Sequence, residues 1–311
     1  MKIALIMDPL SKIHINKDTS FALALEAQHR GFQIYYVRPE SVSVKETTPH
    51  AICRPVFFKR ADPCFEVLGE EQRESLEDFD YILIRRDPPF DEQYFMLTHF
   101  LSLLKKAKVL NRPASLREAP EKLYSLQFPG IFPPSLISMD PDEIREFMAV
   151  QGGEIIIKPL NRCGGSGIVY LHQDDKNFCS LVELLTQDGK DFILAQRYLP
   201  EVREGDKRII LIGGEAKGAI WRIPAENEHR GNIHVGGQVK LAEINPRDQW
   251  LVDQLTPRLI KDGLYFVGLD VIGDWVTEIN VTSPTGIQEI HQQGGPDLAQ
   301  TFWDHLPQFL G

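Results

Sequence analysis

Within its first 37 residues the chain sets out a strand, a helix and a second strand, and this order restricts the fold more than any other feature. Lys2 leads a continuous apolar run, Ile3-Ala4-Leu5-Ile6-Met7, closed by Asp8-Pro9. Continuous rather than alternating apolarity fits a strand covered on both faces. Asp18 can cap a helix beginning at Thr19, whose Phe21, Ala22, Ala24 and Leu25 recur at helical spacing until Gly31 supplies a left-handed stop. Ile34-Tyr35-Tyr36-Val37 reads as the second strand. A strand–helix–strand unit of this size predicts a parallel sheet with a right-handed crossover. Tyr81–Arg85 is a third strand, followed by the turn residues Asp87-Pro88-Pro89, a helix from about 91 to 106 and a short strand at Val109-Leu110. About the first 115 residues are therefore expected to form one α/β domain.

After Pro113 the pattern changes. A helix around Glu121–Gln127 leads through Phe132-Pro133-Pro134 to the strand Glu154–Lys158, which Pro159 stops. Asn161–Gly167 is a glycine-rich loop, and a strand resumes at Ile168–Leu171. A loop between two strands has the geometry of a hairpin, not of a strand-to-helix phosphate loop. A helix at Phe178–Leu185 and a strand at Phe192–Tyr198 complete a small α+β unit. Lys207–Ile212 and Ala216–Trp221 are strands joined by Gly213-Gly214-Glu215, another hairpin. Ile223–Gly237 is polar and dotted with glycine, which reads as a lid or a disordered segment. A helix at Arg247–Lys261, strands at Tyr265–Ile272 and Val276–Val281, and a helix at Leu298–Leu310 finish the chain.

Charge and length limit the function. Lysine and arginine total 34 against 44 acidic residues, a net charge of -10, which excludes the broad basic surface of a general nucleic-acid binder. Any anion must be held locally. The aliphatic runs, such as Ile209–Ile212, are far short of the roughly 18 residues of a membrane span. Only five apolar residues precede Asp8, too few for the ~7–15-residue core of a secretory signal. A cytoplasmic protein is expected. Cys53, Cys64, Cys163 and Cys179 show no metal-site or disulfide spacing and read as reduced thiols. By length alone, 311 residues imply about two domains.

Three groups of residues could carry chemistry. Lys158 ends a strand beside the Cys163–Gly167 loop, where glycines let backbone N–H groups approach an anion and the ammonium adds a point charge. The loop has neither the Walker A ending nor dinucleotide-fingerprint spacing, and a plain surface hairpin is the alternative. Asp270, Glu278 and Asn280 offer the oxygen ligands of a hard divalent ion. Glu278 and Asn280, two apart, share a face of their strand. Asp270 joins that face only if the turn around Gly273–Trp275 has three residues or carries a bulge; otherwise the hairpin is simply acidic and solvated. Arg208 and Arg222 lie in apolar strands and must each meet a carboxylate or a phosphate. Arg85 and Arg86 follow a strand of the first sheet, at the edge where parallel sheets present ligand-binding groups, with Asp8, Asn16, Asp18 and Ser20 close by. The histidines assemble no motif.

Read in order, Ile6-Met7-Asp8-Pro9, Lys17-Asp18-Thr19-Ser20-Phe21, Arg86-Asp87-Pro88-Pro89-Phe90-Asp91, Lys158-Pro159-Leu160, Gly205-Asp206-Lys207-Arg208, Arg230-Gly231-Asn232, Val267-Gly268-Leu269-Asp270 and Thr277–Thr285 closely resemble the bacterial glutathione synthetase family of ATP-grasp ligases. The similarity covers nearly the whole chain and is weakest at about residues 40–75. It implies α/β and α+β architecture: an ATP-grasp fold behind an N-terminal pre-ATP-grasp parallel-sheet domain. The expected units are 1–118 for substrate binding, 119–195 for the central lid and 196–311 for the catalytic lobe. It also implies that Lys122 and Lys158 hold the phosphates of ATP under the loop containing Gly164 and Gly165, and that Gln196, Tyr198 and Leu199 receive the adenine. Asp270, Glu278 and Asn280 would hold Mg²⁺, or Mn²⁺ in its place. Arg86 and Arg222 would meet the dipeptide carboxylates, with Asp18, Ser20, Arg230 and Asn232 in the same substrate site, and Arg208 would face the reacting acyl group. The implied partners are ATP, γ-glutamylcysteine and glycine, with no nucleic acid and no membrane, and the implied assembly is a homo-oligomer, a tetramer in particular. Asn161, Cys163 and Gln288 depart from the family pattern. The competing readings are an ATP-grasp ligase for another peptide or amino acid, and a non-catalytic nucleotide-binding regulator.

Overall fold

The computed structural model describes residues 1–160, 167–223 and 238–310. β1 (Lys2–Met7) is apolar on both faces because it lies inside an eight-stranded sheet. β2 (Gln33–Val37) and β7 (Tyr81–Arg85) flank it in parallel, and β8 (Lys108–Leu110) continues beyond β7. The crossover from β1 to β2 is α1 (Thr19–His29), started where the Phe21 N–H donates to Asp18 Oδ1 at 2.9 Å and stopped by Gly31 at φ 78°. α1 is buried over most of its circumference because α8 (Leu298–Leu310) covers it from outside, with Trp303 Nε1 donating to the Leu23 carbonyl at 2.9 Å. Each wholly buried Leu or Phe there, such as Leu23 and Phe21, contributes roughly 1.5–3 kcal/mol.

The sheet is not purely parallel, as the opening unit alone had suggested. β3 (Ser43–Lys45), β4 (Thr48–Phe58), β5 (Phe65–Val67) and β6 (Gln72–Ser75) extend it with antiparallel pairing around β4. The sequence shows little of this, since β4 carries Pro49 and Pro55 and mixes polar with apolar positions. α2 (Glu92–Leu101) starts on the Asp91 cap as expected but ends five residues early. The reason is local: the N–H groups of Lys105, Lys106 and Ala107 donate to the Glu77 carboxylate instead of continuing the helix.

α3 (Pro113–Glu118) then leads away from the first sheet, and the helix expected over Glu121–Gln127 is a 3₁₀ turn at Tyr124–Gln127. A second, four-stranded sheet follows, in the order β11-β10-β12-β9 and antiparallel throughout. Its strands are β9 (Ser135–Ser138), β10 (Glu154–Pro159), β11 (Val169–His172) and β12 (Ile193–Arg197). α4 (Pro141–Val150) and α5 (Phe178–Thr186) cover one face, packing Ile144, Met148 and Val182 on Ile155 and Ile157. Period-two alternation therefore turns Lys158 to the other face, which Gln196 shares.

The third sheet has the order β15-β14-β13-β16-β17, again antiparallel. It comprises β13 (Asp206–Ile212), β14 (Glu215–Ile223), β15 (Gln238–Ala242), β16 (Phe266–Ile272) and β17 (Trp275–Asn280). α6 (Pro246–Lys261) begins with a capping box between Asn245 and Asp248 and packs Leu251 and Leu255 into the core. Asp248 also takes the buried Lys207 ammonium at 2.5 Å. α7 (Ile287–Gln292) follows the Thr282–Gly286 segment, which runs back towards the first sheet. Among the described residues no helix is long and apolar enough to cross a membrane.

Candidate active site

The β16–β17 hairpin decides whether three oxygen-bearing side chains can cooperate. Its turn is the short one, since Ile272 pairs with Trp275 across Gly273-Asp274. The register then slips: Val271 pairs with Val276, but Asp270 pairs with Glu278, so Thr277 is the extra residue of a bulge. Thr277 Oγ1 fastens the bulge by donating to the Asp270 carbonyl at 3.2 Å. The shared face required of Asp270, Glu278 and Asn280 thus comes from a bulge rather than a three-residue turn. Asn280 Nδ2 lies 3.4 Å from Asp270 Oδ2.

Arginines crowd this face from the neighbouring strands. Arg208, cross-strand partner of Asp270, donates to it from Nε at 2.5 Å and Nη2 at 3.0 Å, and from Nη1 to the Thr285 carbonyl at 3.2 Å. Arg222 Nη2 reaches Asp270 Oδ1 at 3.0 Å and forks onto Asp206 at 2.5 and 2.8 Å. Burial alone would raise the Asp270 carboxyl, but the two guanidinium charges outweigh it and hold the group well below the ordinary carboxylate range. Both arginines therefore meet the carboxylates that their apolar strands demanded, and those carboxylates are the protein's own.

Lys158 links the second sheet to the third. Its Nζ donates to Gln196 Oε1 at 3.2 Å and lies 3.9 Å from Glu278 Oε1. Gln196 in turn donates to Ser135 Oγ at 3.1 Å. Lys122 is buried and paired with Glu121 at 2.8 Å. Burial and the Glu278 charge push the Glu121 carboxyl up to about 7 against the pull of Lys122, which places Glu121 in the electrostatics of the same site. Just past β12, Tyr198 stacks edge-on with Tyr170 and Leu199 is buried. Gly164, Gly165, Arg230 and Asn232 lie outside the described residues, as do Cys163 and 224–237.

A cleft of 710 Å³ opens where β1 and β7 end, lined by Asp8, Asp18, Ser20, Arg85, Asp87 and Thr285 among others. The Asp87 N–H donates to Asp8 at 2.8 Å, and Ser283 Oγ donates to Asp87 at 2.7 Å. Arg85 is buried, donating to Ser20 Oγ at 3.0 Å and to the Pro284 carbonyl at 2.9 Å, while its Nη1 has no hydrogen-bond partner. Arg86, which the sequence reading put in the substrate site, is not among the residues lining this cleft; it forks onto Asp91 and lies over the Tyr94 ring. Asp18 serves as the α1 cap, and its carbonyl accepts from Gln288 at 2.6 Å.

Arg85, Asp206 and Glu121 are the residues that sequence reasoning passed over or ranked too low. For Asp206 a signal existed, since it precedes Arg208 by two on one face of β13 and stands opposite Arg222. Cys53 and Cys64 are buried free thiols and Cys179 is exposed; burial pushes the Cys53 thiol up to about 12, which rules it out as a nucleophile near neutral pH. Among the described residues no three His, Cys, Asp or Glu side chains are grouped to hold a metal by themselves. Two carboxylates and one amide, all oxygen donors, do fit a hard divalent ion that completes its shell with substrate phosphates.

The fold and this site define an ATP-grasp ligase. Along its whole length the chain superposes on the crystal structure of the D-cycloserine synthetase DcsG, with a TM-score of 0.71, 15% identity and 100% of both chains covered. The RimK-domain ATP-grasp protein of Sphaerobacter thermophilus gives a TM-score of 0.64 at 16% identity, covering 98% of each chain. At these identities the likeness is one of fold. Sequence similarity is more particular. The model of the prokaryotic glutathione synthetase N-terminal domain matches residues 1–117, and that of the prokaryotic glutathione synthetase ATP-grasp domain matches residues 121–295. The glutathione synthetase of Mesorhizobium japonicum is 44% identical over 305 residues, 98% of this chain and 97% of that protein. That of Pseudomonas aeruginosa is 43% identical over 296 residues, 94% and 93% of the two chains. The chain belongs to the prokaryotic glutathione synthetase family and is an ATP-dependent ligase.

Proposed function

We propose that this enzyme joins γ-glutamylcysteine to glycine at the expense of ATP, giving glutathione, ADP and phosphate. The observation that carries this reading is the convergence of Lys158, Glu278, Asp270 and Arg208 from two sheets, beside a cleft that Arg85 lines. In the reaction, a cysteinyl carboxylate oxygen forms a bond to the γ-phosphorus and the bond to ADP breaks. The glycine amine then forms the amide while the C–O bond to phosphate breaks, and the amine proton passes to the released phosphate or to water.

The protein's work is positional and electrostatic. Lys122 and Lys158 neutralise phosphate oxygens, and Gln196, Tyr198 and Leu199 offer the adenine pocket. Asp270, Glu278 and Asn280 hold the divalent cation, Mg²⁺ or Mn²⁺, which supplies charge neutralisation on the phosphates when bound. Arg85, whose side chain lines the cleft, would meet a dipeptide carboxylate, and Asp18 and Ser20 border the same cleft. Arg208 faces the acyl group undergoing attack, supported by Asp270 and the Thr285 carbonyl. Arg222 neighbours it, and Arg230 and Asn232 for the substrates and Gly164 and Gly165 for the ATP phosphates are assigned by resemblance alone. The three working units are residues 1–118, 119–195 and 196–311, in a cytoplasmic homo-oligomer, a tetramer by resemblance.

The test is ADP release with ATP, Mg²⁺, γ-glutamylcysteine and glycine, each omitted in turn. Release should need all four. Release without the dipeptide would defeat the proposal, and full turnover without glycine would assign a different acceptor.

A further inference from the structure

Asp270 is surrounded by donors. Arg208 supplies two, at 2.5 and 3.0 Å, Arg222 supplies one at 3.0 Å, and Asn280 Nδ2 stands 3.4 Å away. A carboxylate has about four lone-pair positions, so all are addressed. A cation can take an oxygen of Asp270 only when one of these donors gives it up.

The donors differ in what else they hold. Arg208 forks onto Asp270 and is tied to the Thr285 carbonyl, so leaving Asp270 would strand its charge in a buried site. Arg222 makes a single bond to Asp270 and already forks onto Asp206, at 2.5 and 2.8 Å. Asp206 stands directly opposite Arg222, as Arg208 stands opposite Asp270, so the four charges alternate in sign across three adjacent strands. Arg222 can release Asp270 and remain fully paired.

We infer that Asp206 is a positioning residue for the divalent-cation site: it holds the Arg222 guanidinium when that side chain yields Asp270 to the cation. Without the Asp206 carboxylate, Arg222 has, among the described residues, only Asp270 to pair with, and the cation must compete against two guanidiniums. This rests on Asp270 being a cation ligand, so the experiment separates the two claims.

Mn²⁺ is titrated into the full-length protein in the presence of ADP, and free Mn²⁺ is read by electron paramagnetic resonance, for wild type, D206N, D206E and D270N. D206N should weaken Mn²⁺ binding by about 10- to 100-fold, the usual effect of losing a group that orients a metal ligand. D206E should recover most of it, and ADP affinity without metal should stay unchanged. Normal Mn²⁺ binding by D206N beside weakened binding by D270N overturns the role of Asp206 alone. Normal binding by both overturns Asp270 as a ligand. Should D206N fail to fold, ¹⁵N-arginine spectra of the wild-type protein with ADP put the same question. Mg²⁺ should shift the Arg222 Nε–H resonance, assigned with R222K, and an unmoved resonance overturns the proposal.

Discussion

Lys158→Met separates a phosphate-binding lysine from one that merely bridges two sheets. The ammonium lies 3.9 Å from Glu278 Oε1 and 3.2 Å from Gln196 Oε1, and it is buried. At an effective dielectric of about 20, the pair with Glu278 is worth ~4 kcal/mol before desolvation. Removing the ammonium from water costs several kcal/mol, and Glu278, whose side chain is 19% exposed, keeps contact with water when its partner goes, so the net cost to folding is small. Methionine keeps most of the volume and loses the charge. Thermal unfolding of the nucleotide-free protein should therefore move by less than about 4 °C. Catalysis should respond differently, because a preorganised donor facing developing phosphate charge is worth about 10²–10³ in kcat. A coupled assay of ADP release gives kcat and the KM for ATP, and scanning fluorimetry gives the melting temperature. Turnover within about threefold of wild type would refute the phosphate role, since an interaction of that class is worth far more. A fall in melting temperature large enough to explain the lost activity would show that Lys158 acts as a structural bridge.

Arg85→Met should raise the KM for γ-glutamylcysteine by about 10- to 100-fold, the loss of one charge-assisted hydrogen bond, and leave the KM for ATP within about twofold. Arg86→Met, which removes an Asp91 pair, should change both constants little, and steady-state kinetics on the two variants decide between them. Glu77 accepts three N–H groups that terminate α2; burial would raise its carboxyl, but the Lys105, Lys106 and Ala107 donors outweigh it and lower it from the ordinary 4.5. Glu77→Gln should thus cost about 1 kcal/mol at pH 7, with the difference from wild type disappearing as pH falls below that ordinary value and through the lowered one, as read from urea midpoints.

Much of the architecture is visible in local pattern. The unit β1–α1–β2 announces itself because burial on both faces needs unbroken apolarity, and because Asp18 and Gly31 mark the helix ends. The β13–β14 and β16–β17 hairpins show in their glycine turns. The antiparallel strands β3 to β6 do not, since β4 draws its place from pairing with β2 and β6 while carrying two prolines and several half-buried positions. At the site, the spacing of Asp270, Glu278 and Asn280 required a three-residue turn or a bulge, and only the register shows that a bulge at Thr277 provides it. The place of Arg85 in the cleft was likewise hidden, because it depends on a bond to the Pro284 carbonyl, 199 residues further along the chain. Asp206 was legible in principle: an arginine in an apolar strand requires a partner, and its cross-strand neighbour is an aspartate.

On the proposed function, the dipeptide carboxylate, activated by ATP among Lys158, Arg208 and the Asp270–Glu278 hairpin, becomes an acyl phosphate. The most direct measurement uses γ-glutamylcysteine labelled with ¹⁸O in the cysteinyl carboxylate, turned over with ATP and glycine, and mass spectrometry of the phosphate released. One ¹⁸O atom per phosphate is expected, carried over when the C–O bond of the acyl phosphate breaks. Unlabelled phosphate, formed alongside glutathione, would contradict the account.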